Sequence, residues 1–415
     1  NSIKGLIIMI CIPNIKIIYQ MNILSVPYFA GGLSHLLPLY VLHHKYLKKC
    51  PEIGNQFLVN NNLQFFLKTQ RIECPTVDYF GKDKENLLLS NDFPEISRYV
   101  IIKEQEAYER VNPQIVIEDN SFTTPLIAEK KNIPRISIQR TGTFRSIDVC
   151  YRNPHHVHSM QKGININRSA FLSDPKKLDI PKFDNSDTFF LQKYFAPKAK
   201  IIPGIASIER LPENIEDRDS YFYSGPLIVM DKPSKNLSEK LGEFLESNKD
   251  KSIVFITTGT IDKTPIDRYI EFFVKQDYAV ITTCNCEINK VYPESIFHNN
   301  LLPLHYICGI SNLVIHQCGS GMYHYPIING VPSLTIGTQC FDREDIALRL
   351  QELGVSSHIP HPEDNPDYWE IFLETIDRFE RKELINFKMM DQLKTEIEES
   401  THHFNIQKVI NYALS

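Results

Sequence analysis

The chain has 415 residues, of which 42% are hydrophobic and 23% are charged, and its formal net charge is −5. This composition is typical of a soluble globular protein, and at roughly 100–200 residues per domain the length predicts two domains. The acidic balance excludes the clustered basic surface that nucleic-acid binding requires. The nine cysteines are odd in number and include no CxxC pair, so we expect a reducing, cytoplasmic compartment rather than a disulfide framework.

Residues 1–20 combine a short apolar run at residues 6–12 with Pro13 and Lys16. A helix that spans a membrane needs about 20 apolar residues, so this run is too short. The segment also lacks the small-residue cleavage site of a signal peptide. We expect an N-terminal extension outside the fold, with peripheral contact to a membrane surface as the alternative.

Apolar runs typical of buried strands alternate with helical patterns along the rest of the chain. In the first half, the strand patterns NILSVPYF, PQIVIED and RISIQ are separated by the helical stretches FPEISRYVIIKEQEAYERV and TPLIAEKKNIP. In the second half, SIVFITTG, YAVITTC, NLVIHQ and VPSLTIG are strand-like, while TPIDRYIEFFVKQ and DREDIALRLQELG are helical. Runs rich in Val and Ile that are separated by helices predict an α/β fold with doubly wound parallel sheets.

The two sets of elements are separated by YFYSGPLIVMDKPSKN, in which Gly225, Pro226 and Pro233 break regular structure. We therefore predict Rossmann-like domains over residues 21–225 and 226–395, and a helical C-terminal segment, residues 396–415, that crosses back to the first domain. In open α/β sheets, ligands lie beyond the carboxyl ends of the strands, so we expect the functional site in a cleft between the two domains.

The first strand runs into FAGGLSHLLPLYVL. Gly31 and Gly32 allow a tight turn into the next helix, and His35 then falls in the first turn of that helix. A histidine with an ordinary pKa of about 6.5 acts as a general base when a carboxylate orients it. We predict that role for His35, and the alternative is a surface histidine near a helix start.

Glu118 and Asp119 end the strand pattern PQIVIED. Period-two alternation predicts that one carboxylate points inward and the other outward. A carboxylate at the tip of a buried strand needs a partner, and an aspartate that orients a histidine also stabilises the imidazolium. We predict that Asp119 orients His35. The alternatives are Glu118 in that role, or capping of the next helix by Asp119 or Asn120.

Glycine-bearing loops follow two strands of the second half. In VFITTGTI, the hydroxyls and backbone N–H groups after the strand suit a phosphate, although a plain capped turn is the alternative. In NLVIHQCGSGM, Gly319 and Gly321 permit close approach of a ligand, and the start of the following helix favours an anion. His316 or Gln317 adds a side-chain donor to this loop.

Polar side chains after the next strand, at residues 342–345, either bind sugar hydroxyls or cap a helix. Two further groups of side chains are candidate metal ligands. One is the Cys284 and Cys286 pair, and the other is NPHHVHSM with its three histidines, His155, His156 and His158. Neither group has the ligand set of a metal site, so we predict no metal.

Taken together, these motifs resemble the nucleotide-sugar-dependent glycosyltransferases of family 1, which have the GT-B fold. GGLSHLLP is similar to the Gly-x-Gly-His-x-x-Pro turn of that family, with Ser34 in place of the second Gly. PQIVIED is similar to its PDLVVxD strand, and YSGP to its YxGP linker. HQCGSGM…GVP…DREDIA is similar to its HGGxGT…GVP…DQxxNA signature. The resemblance covers nearly the whole chain from Met21.

The resemblance implies an inverting glycosyltransferase of the hexosyltransferase type, with UDP-sugar or dTDP-sugar as co-substrate and no other cofactor. His35 would be the catalytic base and Asp119 its partner. The apolar character of VPYFAGGL and TGTFRS favours a small apolar acceptor. The implied donor-binding positions are Gly259, Thr260, Pro303, Leu304, His316, Gln317, Gly319, Ser320, Gly321, Met322, Asp342 and Arg343, and the acceptor-binding positions are Phe29, Gly32 and Arg140.

The donor loop departs from the family pattern. Gln317 occupies the position of the diphosphate-binding His of many members, and a one-residue insertion would return that role to His316. Other positions differ as well: Cys318 for Gly, Met322 for a phosphate-contacting Thr, Tyr325 for a ribose-contacting acid, and Arg343 for a sugar-contacting Gln. These differences leave two alternatives open. One is a lipid or cell-wall-precursor glycosyltransferase at a membrane surface, and the other is an inactive glycosyltransferase-like accessory protein.

Pro326 lies where the family has a helix under way. A proline inside a helix costs about 3 kcal/mol because it removes a hydrogen bond and crowds the preceding turn. We therefore expect this helix to start later or to bend.

Overall fold

The computed structural model describes residues 21–28, 33–72, 93–119, 121, 123–140, 197–211, 217–258, 266–319, 321–338 and 341–415. Its strands form two six-stranded sheets, and the pairs within both sheets are parallel. The strands are β1 Met21–Pro27, β2 Ile53–Phe57, β3 Ile115–Asp119, β4 Arg135–Ile138, β5 Ala199–Ile202, β6 Tyr221–Tyr223, β7 Ile253–Thr257, β8 Ala279–Thr282, β9 Ile296–His298, β10 Leu313–His316, β11 Ser333–Ile336 and β12 Ser356–Ile359.

Helices connect the strands and cover the sheets. They are α1 Leu33–Lys45, α2 Asn61–Thr69, α3 Phe93–Val111, α4 Thr124–Lys131, α5 Lys235–Ser247, α6 Asp267–Lys275, α7 Ile288–Val291, α8 Leu304–Ile310, α9 His324–Asn329, α10 Phe341–Glu352, α11 Tyr368–Glu380, α12 Phe387–His403 and α13 Ile406–Leu414. Among the residues that the structure describes, no helix is long and apolar enough to cross a membrane.

The first sheet has the strand order β2-β1-β3-β4-β5-β6. All five residues of β3 are buried, because helices cover both faces of a parallel sheet. β1 and β3 pair from Ile23 opposite Ile115 to Pro27 opposite Asp119. This register places the end of β3 beside the point where the chain leaves β1 for α1.

The second sheet has the order β12-β11-β10-β7-β8-β9. His316, the last residue of β10, lies opposite Thr257 of β7 on one side and Thr335 of β11 on the other. The loops that follow these three strands therefore start from one edge of the sheet.

The terminal helix α13 packs on the first domain. Ile406, Val409 and Ile410 belong to one hydrophobic core with Ile136 of β4 and Ala199 of β5. The Asn405 side chain caps α13 by accepting the backbone N–H groups of residues 407 and 408. The burial of this apolar face anchors the end of the chain to the first sheet, as α12 connects it from the second domain.

The predicted doubly wound parallel sheets are confirmed. Five strands were not predicted from the sequence, and four of them form the edges of the two sheets: β2, β6, β9 and β12, together with β5, which lies between β4 and β6. Their segments, such as IGNQF and SSHI, carry polar residues that break a continuous apolar run. Residues 1–20 and the three histidines of NPHHVHSM lie outside the described residues.

Helix α9 begins at His324, after the glycine-bearing loop, and Pro326 is its third residue. Backbone N–H groups in the first turn of a helix have no intrahelical partner, so a proline there removes no hydrogen bond. Of the two outcomes expected from Pro326, a later start and a bend, the structure shows the later start of the helix.

Candidate functional site

His35 and Asp119 are in contact at the carboxyl end of the first sheet. His35 Nδ1 lies 2.8 Å from Asp119 Oδ1, and the Asp119 side chain is fully buried while that of His35 is 19% exposed. The ring of Tyr28 meets His35 edge-on, with ring centroids 5.5 Å apart. An imidazole that donates its Nδ1–H to a carboxylate carries its lone pair on Nε2, which can accept a proton from a substrate hydroxyl.

Arg140 holds the same carboxylate from the other side. Its Nη1 lies 3.2 Å from Asp119 Oδ1 and its Nη2 lies 3.3 Å from Oδ2. Burial by itself raises the pKa of Asp119, but the charges of Arg140 and His35 outweigh it, so the net pKa is below the usual value. Asp119 therefore stays ionised. The sequence resemblance implied that Arg140 binds the acceptor. In the structure, its two terminal nitrogens contact Asp119 instead.

Glu118 makes a separate ion pair. Its Oε1 accepts from Arg135 Nη1 at 2.7 Å, and its Oε2 accepts the backbone N–H of Ser121 at 2.9 Å. One carboxylate was predicted to point inward and the other outward, but both are buried, because helices cover both faces of the sheet, so each carboxylate needs its own cation. Geometry thus makes Asp119, and not Glu118, the partner of His35.

The loop after β10 begins with two buried polar side chains. Burial lowers the pKa of His316 to about 3, so its ring is neutral, and its Nδ1 accepts the backbone N–H of Cys318 at 3.0 Å. Gln317 Oε1 accepts from Arg343 Nη1 of α10 at 3.3 Å. The structure therefore brings together Gln317 and Arg343, two of the predicted donor-binding residues.

The glycines of this loop differ in their surroundings. The Gly319 carbonyl accepts the N–H groups of Gly321 at 2.7 Å and of Met322 at 2.8 Å. A Cβ atom at Gly319 would meet nothing within 4 Å, whereas one at Gly321 would lie 2.9 Å from Ile228 Cγ2. The open side of the turn is therefore at Gly319. The Met322 side chain packs in the core of the second domain with Ile228 and Tyr325.

The remaining predicted positions are more scattered. Pro303 precedes α8, which starts at Leu304. Glu344, one of the residues left open between sugar binding and capping, accepts the N–H of Thr338 at 2.6 Å and lies 2.9 Å from His358 Nε2. Phe29, Gly32, Gly259, Thr260, Ser320 and the side chain of Asp342 lie outside the described residues.

A polar contact joins the two domains beside this site. The Tyr323 hydroxyl donates to Glu209 Oε1 at 2.9 Å, and a Cβ atom at Gly204 would lie 3.0 Å from that hydroxyl. Burial lowers the pKa of His324 to about 3, and the positive charge of Arg140 contributes to this shift. Arg140 thus lies close enough to the second domain to act on it electrostatically. Sequence reasoning missed this contact because no local pattern marks it.

In the part of the chain that the structure describes, no group of three or more His, Cys, Asp or Glu side chains is arranged to hold a metal ion.

Comparison with known proteins gives one partial sequence match. No family model matches the chain. A stretch of 120 residues is 26% identical to aklavinone 7-beta-L-rhodosaminyltransferase of Streptomyces galilaeus. This stretch covers 26% of the chain, and the match spans 27% of the length of that protein.

Solved structures match over nearly the full length. The glycosyltransferase of kitacinnamycin superposes with a TM-score of 0.68 at 13% identity, covering 95% of this chain and 99% of that one. Spinosyn forosaminyltransferase gives 0.65 at 15% identity, covering 95% and 100%. Spinosyn rhamnosyltransferase, solved with thymidine diphosphate, gives 0.61 at 13% identity, covering 91% and 96%. The predicted GT-B fold is therefore confirmed.

Proposed function

We propose that the protein is an inverting glycosyltransferase that moves a sugar from a nucleoside-diphosphate sugar to a hydroxyl of a small-molecule acceptor. The observation that carries this proposal is the contact between His35 and the buried, ionised Asp119 at the carboxyl end of a sheet in a GT-B fold. Similar chains with this fold are named as transferases of sugars.

The chemistry follows from the geometry of the pair. His35 Nε2 takes the proton of the acceptor hydroxyl while Nδ1–H stays bound to Asp119. The oxygen forms a bond to the anomeric carbon, and the bond from that carbon to the diphosphate oxygen breaks, its electron pair leaving with the diphosphate. A single displacement inverts the anomeric centre. Asp119 stabilises the imidazolium that forms, and stabilisation of this kind acts mainly in the transition state.

The donor site is proposed at the loop after β10. Gln317 and Arg343 offer a neutral donor and a positive charge to a diphosphate, and the turn is open at Gly319. A dTDP-sugar as the donor is supported by two similar structures. They are spinosyn rhamnosyltransferase and the glycosyltransferase VinC, which were both solved with thymidine diphosphate. A UDP-sugar is the donor to be tested beside it.

The competing proposal is an accessory protein that has lost transfer activity. One observation favours it: the N–H groups of Gly321 and Met322 are bound to the Gly319 carbonyl rather than directed outwards. The assembled pair of His35 and Asp119 favours the enzyme.

Calorimetric titration with dTDP and UDP tests the donor site, beside the variants Gly319→Leu and Gly242→Leu. Both glycines have open space around a new side chain, but Gly242 is exposed on helix α5 and does not belong to the loop after β10. We expect micromolar binding that Gly319→Leu weakens at least tenfold and Gly242→Leu leaves unchanged. His35→Ala should bind nucleotide normally and transfer no sugar. Absence of binding at millimolar nucleotide would overturn the enzyme proposal.

A further inference from the structure

Arg140 and His35 share one carboxylate. Asp119 Oδ1 lies 2.8 Å from His35 Nδ1 and 3.2 Å from Arg140 Nη1, and Oδ2 is held by Arg140 Nη2 at 3.3 Å. Arg140 and Asp119 are both buried, with side chains 7% and 0% exposed. A buried guanidinium that donates hydrogen bonds to both oxygens of a carboxylate fixes the plane of that carboxylate. It therefore also determines which oxygen faces the histidine.

We propose that Arg140 is a positioning residue for His35, because it sets the orientation and the effective charge of Asp119 and so tunes the basicity of the imidazole. The proposal rests on the proposed function for its catalytic meaning. Without Arg140, the full negative charge of the buried carboxylate would act on the imidazole and favour its protonated form, which cannot serve as a base. With Arg140 present, part of that attraction is cancelled.

Other titratable groups lie around the pair of His35 and Asp119. Glu118 follows from the same strand, but Arg135 compensates its charge at 2.7 Å. Tyr28 contacts His35 through its ring edge. In the second domain, the charge of Arg140 acts on Tyr323 and His324. Tyr323 donates a hydrogen bond to Glu209. His324 is neutral because burial lowers its pKa to about 3. Among the described residues around the carboxylate of Asp119, Arg140 is thus the cation that bears on His35.

The matched control is already in the chain. Arg135 is a second buried arginine, on β4, that pairs with the carboxylate next to Asp119. Its carboxylate partner, Glu118, makes its hydrogen bonds to Arg135 and to the backbone of Ser121. Arg135→Gln therefore removes an equally buried guanidinium without removing a charge from the carboxylate that holds the histidine.

The experiment is an NMR titration of the His35 ring in the full chain, assigned by its loss in His35→Gln. Removal of the Arg140 charge leaves the negative charge of Asp119 uncompensated beside the imidazole, so the His35 titration should move to higher pH in Arg140→Gln. Arg140→Lys keeps the charge and should restore most of the wild-type value. Arg135→Gln should move the titration less than Arg140→Gln does, because Arg135 pairs with Glu118 and not with Asp119. An unchanged titration in Arg140→Gln would overturn the proposal, whereas failure of lysine to rescue would assign the effect to the two-point contact that orients the carboxylate rather than to the charge.

Folding of each variant is checked by its thermal melt. If Arg140→Gln does not fold, the comparison moves to Asp119→Asn with and without Arg140→Gln, where no charged carboxylate is left uncompensated. The double variant should then titrate at His35 at a higher pH than Asp119→Asn alone, because a nearby positive charge has been removed. Equal titrations would count against any action of the Arg140 charge on the histidine.

The titration needs no substrate, which separates this proposal from the proposed function. If the wild-type chain transfers no sugar, the function fails while the titration still decides the role of Arg140. If it does transfer sugar, the acid limb of the kcat profile should move upwards in pH in Arg140→Gln and return in Arg140→Lys. A purely structural role would lower stability without moving that limb.

Discussion

Glu118 and Asp119 are consecutive residues of one buried strand, yet they are held by different arginines. Glu118 Oε1 lies 2.7 Å from Arg135, while Asp119 lies 3.2 Å from Arg140 and 2.8 Å from His35. Only one of two adjacent carboxylates therefore faces the histidine. The other forms a structural ion pair beside it.

This difference predicts opposite effects for two conservative substitutions. Asp119→Asn should lower sugar transfer about 10²–10⁴-fold, because the amide no longer stabilises the imidazolium. Glu118→Gln should leave the intrinsic activity of folded enzyme nearly intact and destabilise the fold by about 3 kcal/mol, because Arg135 is left buried without its counter-charge. Initial rates below the melting range, measured beside urea unfolding of both variants, check the pair. Equal losses of activity in the two variants would contradict the assignment.

Gln317 is expected to contact the diphosphate through its amide N–H groups, since its oxygen accepts from Arg343. Gln317→Glu keeps the shape and the contact to Arg343 but places a negative charge at the site. We expect dTDP to bind at least tenfold more weakly, because like charges repel at a desolvated site. Gln276→Glu adds the same charge on the exposed end of α6 and should change nothing. Calorimetry of both variants decides the point, and unaltered binding in Gln317→Glu would place the diphosphate elsewhere.

Cys318 has a positive φ of 51°. Residues other than glycine adopt this backbone conformation at a cost in free energy. Glycine should therefore be favoured over alanine there by about 1 kcal/mol, even though it buries one carbon fewer. Cys308, buried in α8, serves as the control, because glycine inside a helix is about 1 kcal/mol less favourable than alanine. Chemical unfolding of the four variants measures both differences. The same preference at both positions would argue against strain at Cys318.

The raised pKa of Glu104 predicts that the protein loses stability as the pH rises from 4.5 to about 7. Burial raises the pKa of its carboxyl from 4.5 to about 7, although hydrogen bonds from Thr123 and Thr124 oppose the shift. Between these two values the folded state binds more protons than the unfolded state, so the free energy of unfolding falls as pH rises. The loss is on the order of 2–3 kcal/mol and is complete above pH 7. The stability of Glu104→Gln relative to the wild-type protein should therefore increase from pH 5 to pH 7.5, and urea midpoints at several pH values test this.

The lowered pKa of His316 predicts a loss of stability in the opposite direction, as the pH falls. Burial lowers its pKa from 6.5 to about 3, so below pH 6.5 the unfolded state binds a proton that the folded state rejects. Stability therefore falls on acidification, by about 2 kcal/mol between pH 6.5 and pH 5. In His316→Asn, the amide oxygen can still accept the N–H of Cys318, but the side chain does not titrate. That variant should show a shallower loss of stability over this pH range, whatever its stability at pH 7.

Local sequence pattern was sufficient for the central strands and for the helices around them. Strands such as β3 and β10 are buried on both faces, so they read as continuous apolar runs that need no knowledge of their neighbours. The marginal strands carry polar residues and are defined by the strand they pair with, which is why the segments of β2 and β12 gave no signal.

The sequence by itself determined that a histidine follows the first strand, that two carboxylates end β3, and that a glycine loop follows β10, because each of these is a property of adjacent residues. Only the tertiary structure decided which carboxylate meets His35, across 84 residues of sequence. It also brought Arg140 onto Asp119 across 21 residues and Arg343 onto Gln317 across 26. Such pairings depend on how strands are ordered within a sheet and on where their ends meet, and no periodicity along the chain records that order.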